Sequence, residues 1–447
     1  MRYLLFLFKA IYFRANFFIM LGTIVLLFVL GFFYAIFQRI AQGASIVFSL
    51  LVLGELFLLF NRDPGVKGER ETADEWSNGD ENPVRIRVTN RYPMSIKGEV
   101  IDEAPPQTQL RDLRSSMEWG PGATRIMEYH VIPRERGRYR YGKLNVFVRL
   151  LAGTVARRHR FPMEKDIQVL PAFKRMRSFE FLAVSDRLTE MGVRPIRRLG
   201  ESTEFERIRP YVQGDDRRAV NWKASARKDE LMVNEYREER SQEVFSLIDT
   251  GRVMEMPFEG MTLLDHAINA SLVLSNIAMV KKDRPGLLTF SYRPHRFIQA
   301  SSDPIQMRRI MENLHDLDPD YLETDMERLY LTVRKRVPQR SLLLLFTNIS
   351  SMSGLERMAP PLRMLARSHT VLVVLFRNTE LEDLFTQDPE DARAVHDRAV
   401  AEDLIMEKER IAKELERYGI LVLSTRPEKL TVNVINKYLE LKAKRRV

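Results

Sequence analysis

Residues 15–37, ANFFIMLGTIVLLFVLGFFYAIF, run 23 positions without a charged side chain, and this stretch constrains the chain more than any other feature. About 20 consecutive apolar helical residues cross a hydrocarbon core, so a helix here is long enough to span one. After the polar break QRIAQ at 38–42, residues 43–60 are apolar again apart from Glu55. Two such segments with so short a connection predict a transmembrane helical hairpin. A cleaved signal peptide competes with this reading, because Arg2, Lys9 and Arg14 resemble a positive n-region. The apolar run is too long for a signal core of roughly 7–15 residues, however, and a second apolar segment follows at once. Cations flank the open side of the hairpin (Arg2, Lys9, Arg14, Arg62, Lys67 and Arg70), while the turn holds only Arg39. The positive-inside rule then puts both ends, and the remainder of the chain, on the cytoplasmic side. Glu55 reads as a tolerated boundary charge that reaches the interface.

Anchoring changes what the composition means. A net charge of +10 over 447 residues suits either nucleic acid or an anionic membrane surface. Part of it sits beside the hairpin and in the tail KAKRR, where it favours anionic lipid. The chain has no cysteine, which excludes disulfides, thiolate catalysis and cysteine-built metal centres. Its seven histidines are scattered, with no His-Glu-x-x-His pattern. The length is too great for one ordinary compact domain and suggests two or three.

Four segments follow: a hairpin over 1–63, a β-domain over 64–171, a charged segment over 172–243 and an α/β domain over 244–447. In the β-domain, Val84, Ile86 and Val88 alternate with Arg85, Arg87 and Thr89, and Leu144, Val146 and Val148 repeat the period of two. Turn chemistry at 90–93, 103–106, 120–122 and 134–138 separates these runs, so the segment predicts a small immunoglobulin-like β-sandwich. From 244 onward, short apolar runs (244–248, 286–290, 341–346, 370–376 and 420–424) alternate with helical stretches such as 262–280. That grammar predicts a doubly wound α/β sheet with ligand sites at the carboxyl ends of its strands.

The charged segment carries the densest pattern in the chain. From Arg197 to Arg240 it holds eleven Arg or Lys against ten Asp or Glu. A phosphate backbone calls for a field of one sign, so nucleic acid is not expected as a partner. Asp215 and Asp216, with Glu204 or Glu206, raise the alternative of a metal-dependent hydrolase. Adjacent carboxylates on an extended chain point to opposite sides, though, and no phosphate-cradling glycine loop, Gly-x-Ser-x-Gly elbow or nucleophile with a paired base accompanies them. The plainer reading is a turn at Gly214-Asp215-Asp216 with Trp222 buried nearby.

The stretch 204–239 resembles the signature of the bacterial membrane proteins catalogued as domain of unknown function 58. Glu204, Phe205, Arg209, Tyr211, Gly214, Asp215, Asp216, Arg218, Asn221, Trp222, Ala226, Arg227, Leu231, Val233 and Glu238 fall where that pattern has them. The resemblance implies a membrane hairpin, a β-domain with an Arg-Gly-x-Tyr element (Arg136-Gly137-Arg138-Tyr139) and a von Willebrand factor type A-like domain. It also implies a place in the bacterial inner membrane, and partnership with MoxR-type AAA+ ATPases and other von Willebrand type A proteins.

Metal-binding proteins of the type A fold place Asp-x-Ser-x-Ser after the first strand, a threonine in a later loop and an acid after the central strand. Here Asp249 and Thr324 match, but Gly251 and Val253 replace the serines and Asn348 follows Thr347 where the acid belongs. Losing those oxygens removes most of what a hard cation needs, so no metal or other cofactor is expected. The reading is a non-enzymatic, membrane-anchored cytoplasmic adaptor whose signature residues organise an interface. Its rivals are the hydrolase centred on Asp215 and Asp216 and a self-assembling structural protein.

Overall fold

The structure, a computed structural model, describes residues 10–444 apart from 63, 112, 185–204, 213–219, 229, 237–240, 259, 318, 320 and 387–390. They form two compact units, Met1–Leu170 and Pro171–Val447.

The first unit opens with a short strand β1 (Ile11–Phe13) and two apolar helices, α1 (Ala15–Gly31) and α2 (Ala35–Phe60). At 26 residues α2 is long and apolar enough to cross a membrane, whereas α1 is a shorter apolar helix. The turn between them is not at QRIAQ. It falls just before Ala35, and residues 38–42 lie inside α2, because Gln, Arg and Ala are good helix formers and contain no breaker.

Strands β2 (Val66–Glu71), β3 (Glu75–Ser77), β4 (Asn82–Asn90), β5 (Ile96–Asp102), β6 (Arg114–Trp119), β7 (Thr124–Val131), β8 (Gly137–Tyr141), β9 (Leu144–Arg149), β10 (Val155–Phe161) and β11 (Lys165–Leu170) follow. They build the expected β-sandwich. One sheet runs β1-β10-β9-β5-β6, and the smaller sheets run β2-β4-β7 and β3-β11-β8. The alternation read in the sequence faces inward: Ile86, Val88, Val100, Trp119, Leu144, Val146 and Val148 share one core. In the Arg-Gly-x-Tyr element Gly137 has φ +126°, a backbone region open chiefly to glycine. Tyr139 is buried against Trp76 and donates to Glu135 O at 2.9 Å, the backward bond of a tyrosine corner.

The apolar helices are tied into this sandwich. Leu59 of α2 is fully buried in the same core, and its carbonyl accepts from Tyr92 Oη and Arg157 Nη1. The Glu55 carboxylate, read above as a boundary charge, is buried instead. It accepts the backbone N–H of Gly153, Thr154 and Val155, each at 3.0 Å, and the Thr154 hydroxyl. Three backbone donors satisfy a carboxylate that hydrocarbon would penalise.

The second unit begins with α3 (Phe173–Val184), then β12 (Phe205–Pro210), α4 (Trp222–Lys228) and β13 (Met232–Tyr236). Its body contains β14 (Glu243–Asp249), a small hairpin β15 (Pro257–Phe258) and β16 (Met261–Thr262), α5 (Leu263–Val280), β17 (Arg284–Phe290), β18 (Pro294–Ile298), α6 (Gln306–His315) and α7 (Met326–Arg336). These are followed by β19 (Leu342–Phe346), α8 (Met352–Ser368), β20 (Thr370–Phe376), α9 (Thr379–Thr386), α10 (Ala392–Arg417), β21 (Leu421–Thr425) and α11 (Leu430–Ala443). The sheet order is β18-β17-β14-β19-β20-β21, parallel except for the β17–β18 hairpin.

This is the doubly wound α/β sheet expected from the alternating runs. Alternate strand residues serve two cores. Val244, Ile248, Leu344 and Val374 pack with α5, α6 and α11, while Phe245, Leu247, Leu345 and Val373 pack with α7, α8 and α10, as the period of two demands. Helix α5 passes the length and apolarity test for a membrane span but is buried inside this sheet's layer. From β14 the chain winds outward in one direction to β17 and in the other to β19, so the crevice between the carboxyl ends of β14 and β19 is the switch point where such sheets bind ligands.

Candidate functional site

The signature segment folds as an antiparallel ribbon with a helix set into its connection. Strands β12 and β13 pair from Phe205↔Tyr236 to Pro210↔Met232, and Tyr211 N donates to Leu231 O at 2.7 Å. Asn221 caps α4: its Oδ1 accepts from Ala224 N at 3.0 Å, a standard use of Asn at this position. Ser225 then fastens the helix to β13, donating to Asn221 O at 2.8 Å and accepting from Met232 N at 2.8 Å.

Trp222 is not buried. It is 71% exposed, because the face of α4 turned to β13 is spent on Ala224 and Ser225, while Trp222, Lys223, Ala226 and Arg227 are exposed. Spacings of four residues put Trp222 over Ala226 and Lys223 over Arg227. Val212 and Leu231 are exposed beside the same ribbon. Arg209 lies in β12, with Nη1 donating to Pro210 O at 3.3 Å. Phe205 occupies the first position of β12. Glu204, Gly214, Asp215, Asp216, Arg218 and Glu238 lie outside the described residues, as does the expected turn.

At the switch point, Asp249 and Thr324 come together as the sequence comparison expects, but as a closed hydrogen-bonded group. Asp249 is fully buried. Its Oδ1 accepts from Thr324 Oγ1 and Gly251 N at 2.8 Å each, and its Oδ2 from Thr347 Oγ1 at 2.7 Å. A Cβ on Gly251 would lie 2.3 Å from Thr324 Oγ1 and 2.9 Å from Asp249 Oδ1, so a serine cannot stand there without moving Thr324. Asp249, Thr324 and Thr347 supply one carboxylate and two hydroxyls, with Gly251 and Asn348 where further oxygen ligands would stand, and this set does not fit a divalent cation that takes six or more oxygens. Among the described residues no cluster of three or more His, Cys, Asp or Glu could hold one.

Asn348 has turned away from this group. Its Oδ1 accepts from Lys408 Nζ at 3.1 Å, and the same ammonium donates to Phe376 O at 2.5 Å. Lys408 belongs to α10 and stands at a crevice lined by the β15–β16 hairpin, the start of α5, Asn348 and the loop after β20. Burial pushes its ammonium down to about 8, since a desolvated cation gives up its proton more readily. The sequence reading missed Lys408 in a strongly charged helix. The available signal was register: Ala401, Ile405, Lys408, Ile411 and Leu415 follow a helical period, and Ala401, Ile411 and Leu415 are buried.

Residues 207–414 match the family model described as "Protein of unknown function DUF58". That match covers less than half of the chain. It takes in most of β12, α4, β13 and the α/β sheet as far as α10, so both the exposed helix and the Lys408 crevice fall inside it. The uncharacterized protein YeaD of Bacillus subtilis (strain 168) is 26% identical over 184 residues, which cover 38% of this chain and 44% of that protein. The chain therefore spans less than half the length of this curated relative. Among solved structures, the conserved hypothetical protein BatB from Bacteroides thetaiotaomicron is similar over 46% of this chain and all of that one, at 15% identity and a TM-score of 0.33. A PapD-like domain of human CEP192 is similar over 25% of this chain and 90% of that one, at 16% identity and a TM-score of 0.18.

Proposed function

We propose that this chain is a non-enzymatic adaptor, anchored in the bacterial inner membrane by its apolar helices, that docks a MoxR-type AAA+ ATPase or its client on the cytoplasmic side. The observation that supports this best is α4, which presents an exposed Trp222 beside Lys223, Ala226 and Arg227. Trp and Arg are the residue types that dominate binding hot spots, and two cations beside the indole favour an acidic surface on the partner. Asn221 and Ser225 hold the helix on its strand, so the face is presented in a fixed orientation. The closed hydrogen bonding of Asp249 favours docking without a metal ion over metal chemistry at the switch point.

The test is to solubilise tagged full-length protein from its native membrane with ATP or a non-hydrolysable analogue, crosslink, and identify what co-purifies. An AAA+ ATPase recovered with the wild type and lost with Trp222→Ala and Arg227→Ala, both folded, is the expected result. Absence of any ATPase under every nucleotide condition sinks the reading. Calorimetry with magnesium and manganese on wild type and Asp216→Ala then becomes the decisive measurement.

A further inference from the structure

Among the described residues, no carboxylate pairs with the ammonium of Lys408. Its two hydrogen-bond acceptors, Asn348 Oδ1 and Phe376 O, are neutral. Desolvation lowers its proton affinity, and no described carboxylate offsets that. Buried charges are ordinarily paired, since an ammonium taken from water recovers its hydration only from an anion at close range. An ammonium also has three N–H donors, one more than these two acceptors use.

The surroundings favour a visiting carboxylate. Met256, Pro257, Phe258 and Leu263 give the crevice an apolar wall, which lowers the local dielectric and strengthens an ion pair formed there. Arg377, also in the lining, already pairs with Glu382, and Glu380, the one acid among the described lining residues, is exposed. The enclosed part of the crevice has room for one small polar group.

We propose that this crevice receives one Asp or Glu side chain of a partner protein, whose carboxylate completes the ion pair with Lys408. The inference rests on the adaptor reading for the existence of a partner, but the site stands on its own geometry. It lies beside the switch point, at the carboxyl ends of β19 and β20, on a different element from α4. Asn348 serves as the placeholder acceptor: it holds the ammonium in position without neutralising it.

The experiment uses full-length protein in detergent, pulsed with acetic anhydride, with acetylation of Lys408 read by peptide mass spectrometry against the exposed Lys413. The probes are N-acetyl-glutamate methylamide and N-acetyl-aspartate methylamide. N-acetyl-glutamine methylamide is the neutral isostere, and chloride and inorganic phosphate are the free-anion controls. A single charge-assisted contact holds such small mimics no tighter than the millimolar range, so each is used at about 50 mM. At that concentration the acidic mimics are expected to slow Lys408 acetylation several-fold while Lys413 is unaffected. The glutamine isostere, chloride and phosphate leave Lys408 unchanged. Asn348→Asp, checked for an unaltered circular dichroism spectrum, supplies an internal carboxylate and removes the protection. Failure of both acidic mimics, equal protection by chloride or phosphate, or persistent protection in Asn348→Asp would each overturn the proposal. A missing ATPase in the co-purification would not alter any of these readouts.

Discussion

Glu55 shows how one side chain can be legible as an anomaly and illegible in its role. An acid inside an apolar run is conspicuous, but the three N–H groups that receive it belong to Gly153, Thr154 and Val155, nearly a hundred positions away, and no local pattern announces them. Replacing Glu55 with alanine leaves those buried donors unsatisfied, at about 1–3 kcal/mol for each group left without a partner. We expect Glu55→Ala to destabilise the sandwich strongly, read by tryptophan fluorescence during denaturant unfolding, since Trp76 and Trp119 sit in its cores. Lys408 supplies a pH prediction. Its ammonium is held below the ordinary lysine value, at about 8, so between pH 8 and that ordinary value the unfolded chain binds more protons than the folded one. Stability therefore rises with pH across this window, by up to roughly 1.4 kcal/mol per unit, and is lower by a constant amount below it. Lys408→Met removes this contribution. The difference in unfolding free energy between variant and wild type should favour the variant near pH 7 and shrink as pH rises past 8.

At the scale of the element, α4 separates residues that build from residues that present. Asn221 and Trp222 are neighbours within one signature, yet Asn221 caps the helix and Trp222 stands in solvent. Asn221→Ala should cost about 1 kcal/mol, while Trp222→Ala should stay within about 0.5 kcal/mol of wild type, as surface changes do. Thermal unfolding of the two variants side by side checks this; a large loss from Trp222→Ala would mean that the indole is a packing residue. The plainer sequence reading places Trp222 buried beside a turn at Gly214-Asp215-Asp216. Exposure depended instead on which face of a seven-residue helix meets β13, and a helix that short has too little periodicity to show it. Strands fared better: Val84, Ile86 and Val88, and Leu144, Val146 and Val148, all face the sandwich core as their alternation predicted.

For the whole molecule, both cores of the α/β sheet are built from residues after Pro171, and a unit that owns its core can fold without its neighbour. Residues 171–447 made alone should give a monodisperse protein with mixed helix and strand signals and a cooperative melt. An aggregated or non-cooperative product would show that the first unit is needed. By itself the sequence determined the classes of the elements: two apolar helices, an alternating β-domain, and apolar strands buried on both faces between helices. Each of these depends on hydrophobic period and turn chemistry, which are local. The resemblance to the type A fold also implied that Asp249 and Thr324 meet, as they do. Only the tertiary structure decided what those residues do. Thr324 and Thr347 close on Asp249 because Gly251 leaves room, Asn348 turns to a lysine sixty positions on, and Glu55 finds a loop of the sandwich. Such contacts form when the sheet winds distant segments together, and a hydrogen bond depends on that distance in space while periodicity records only the distance along the chain.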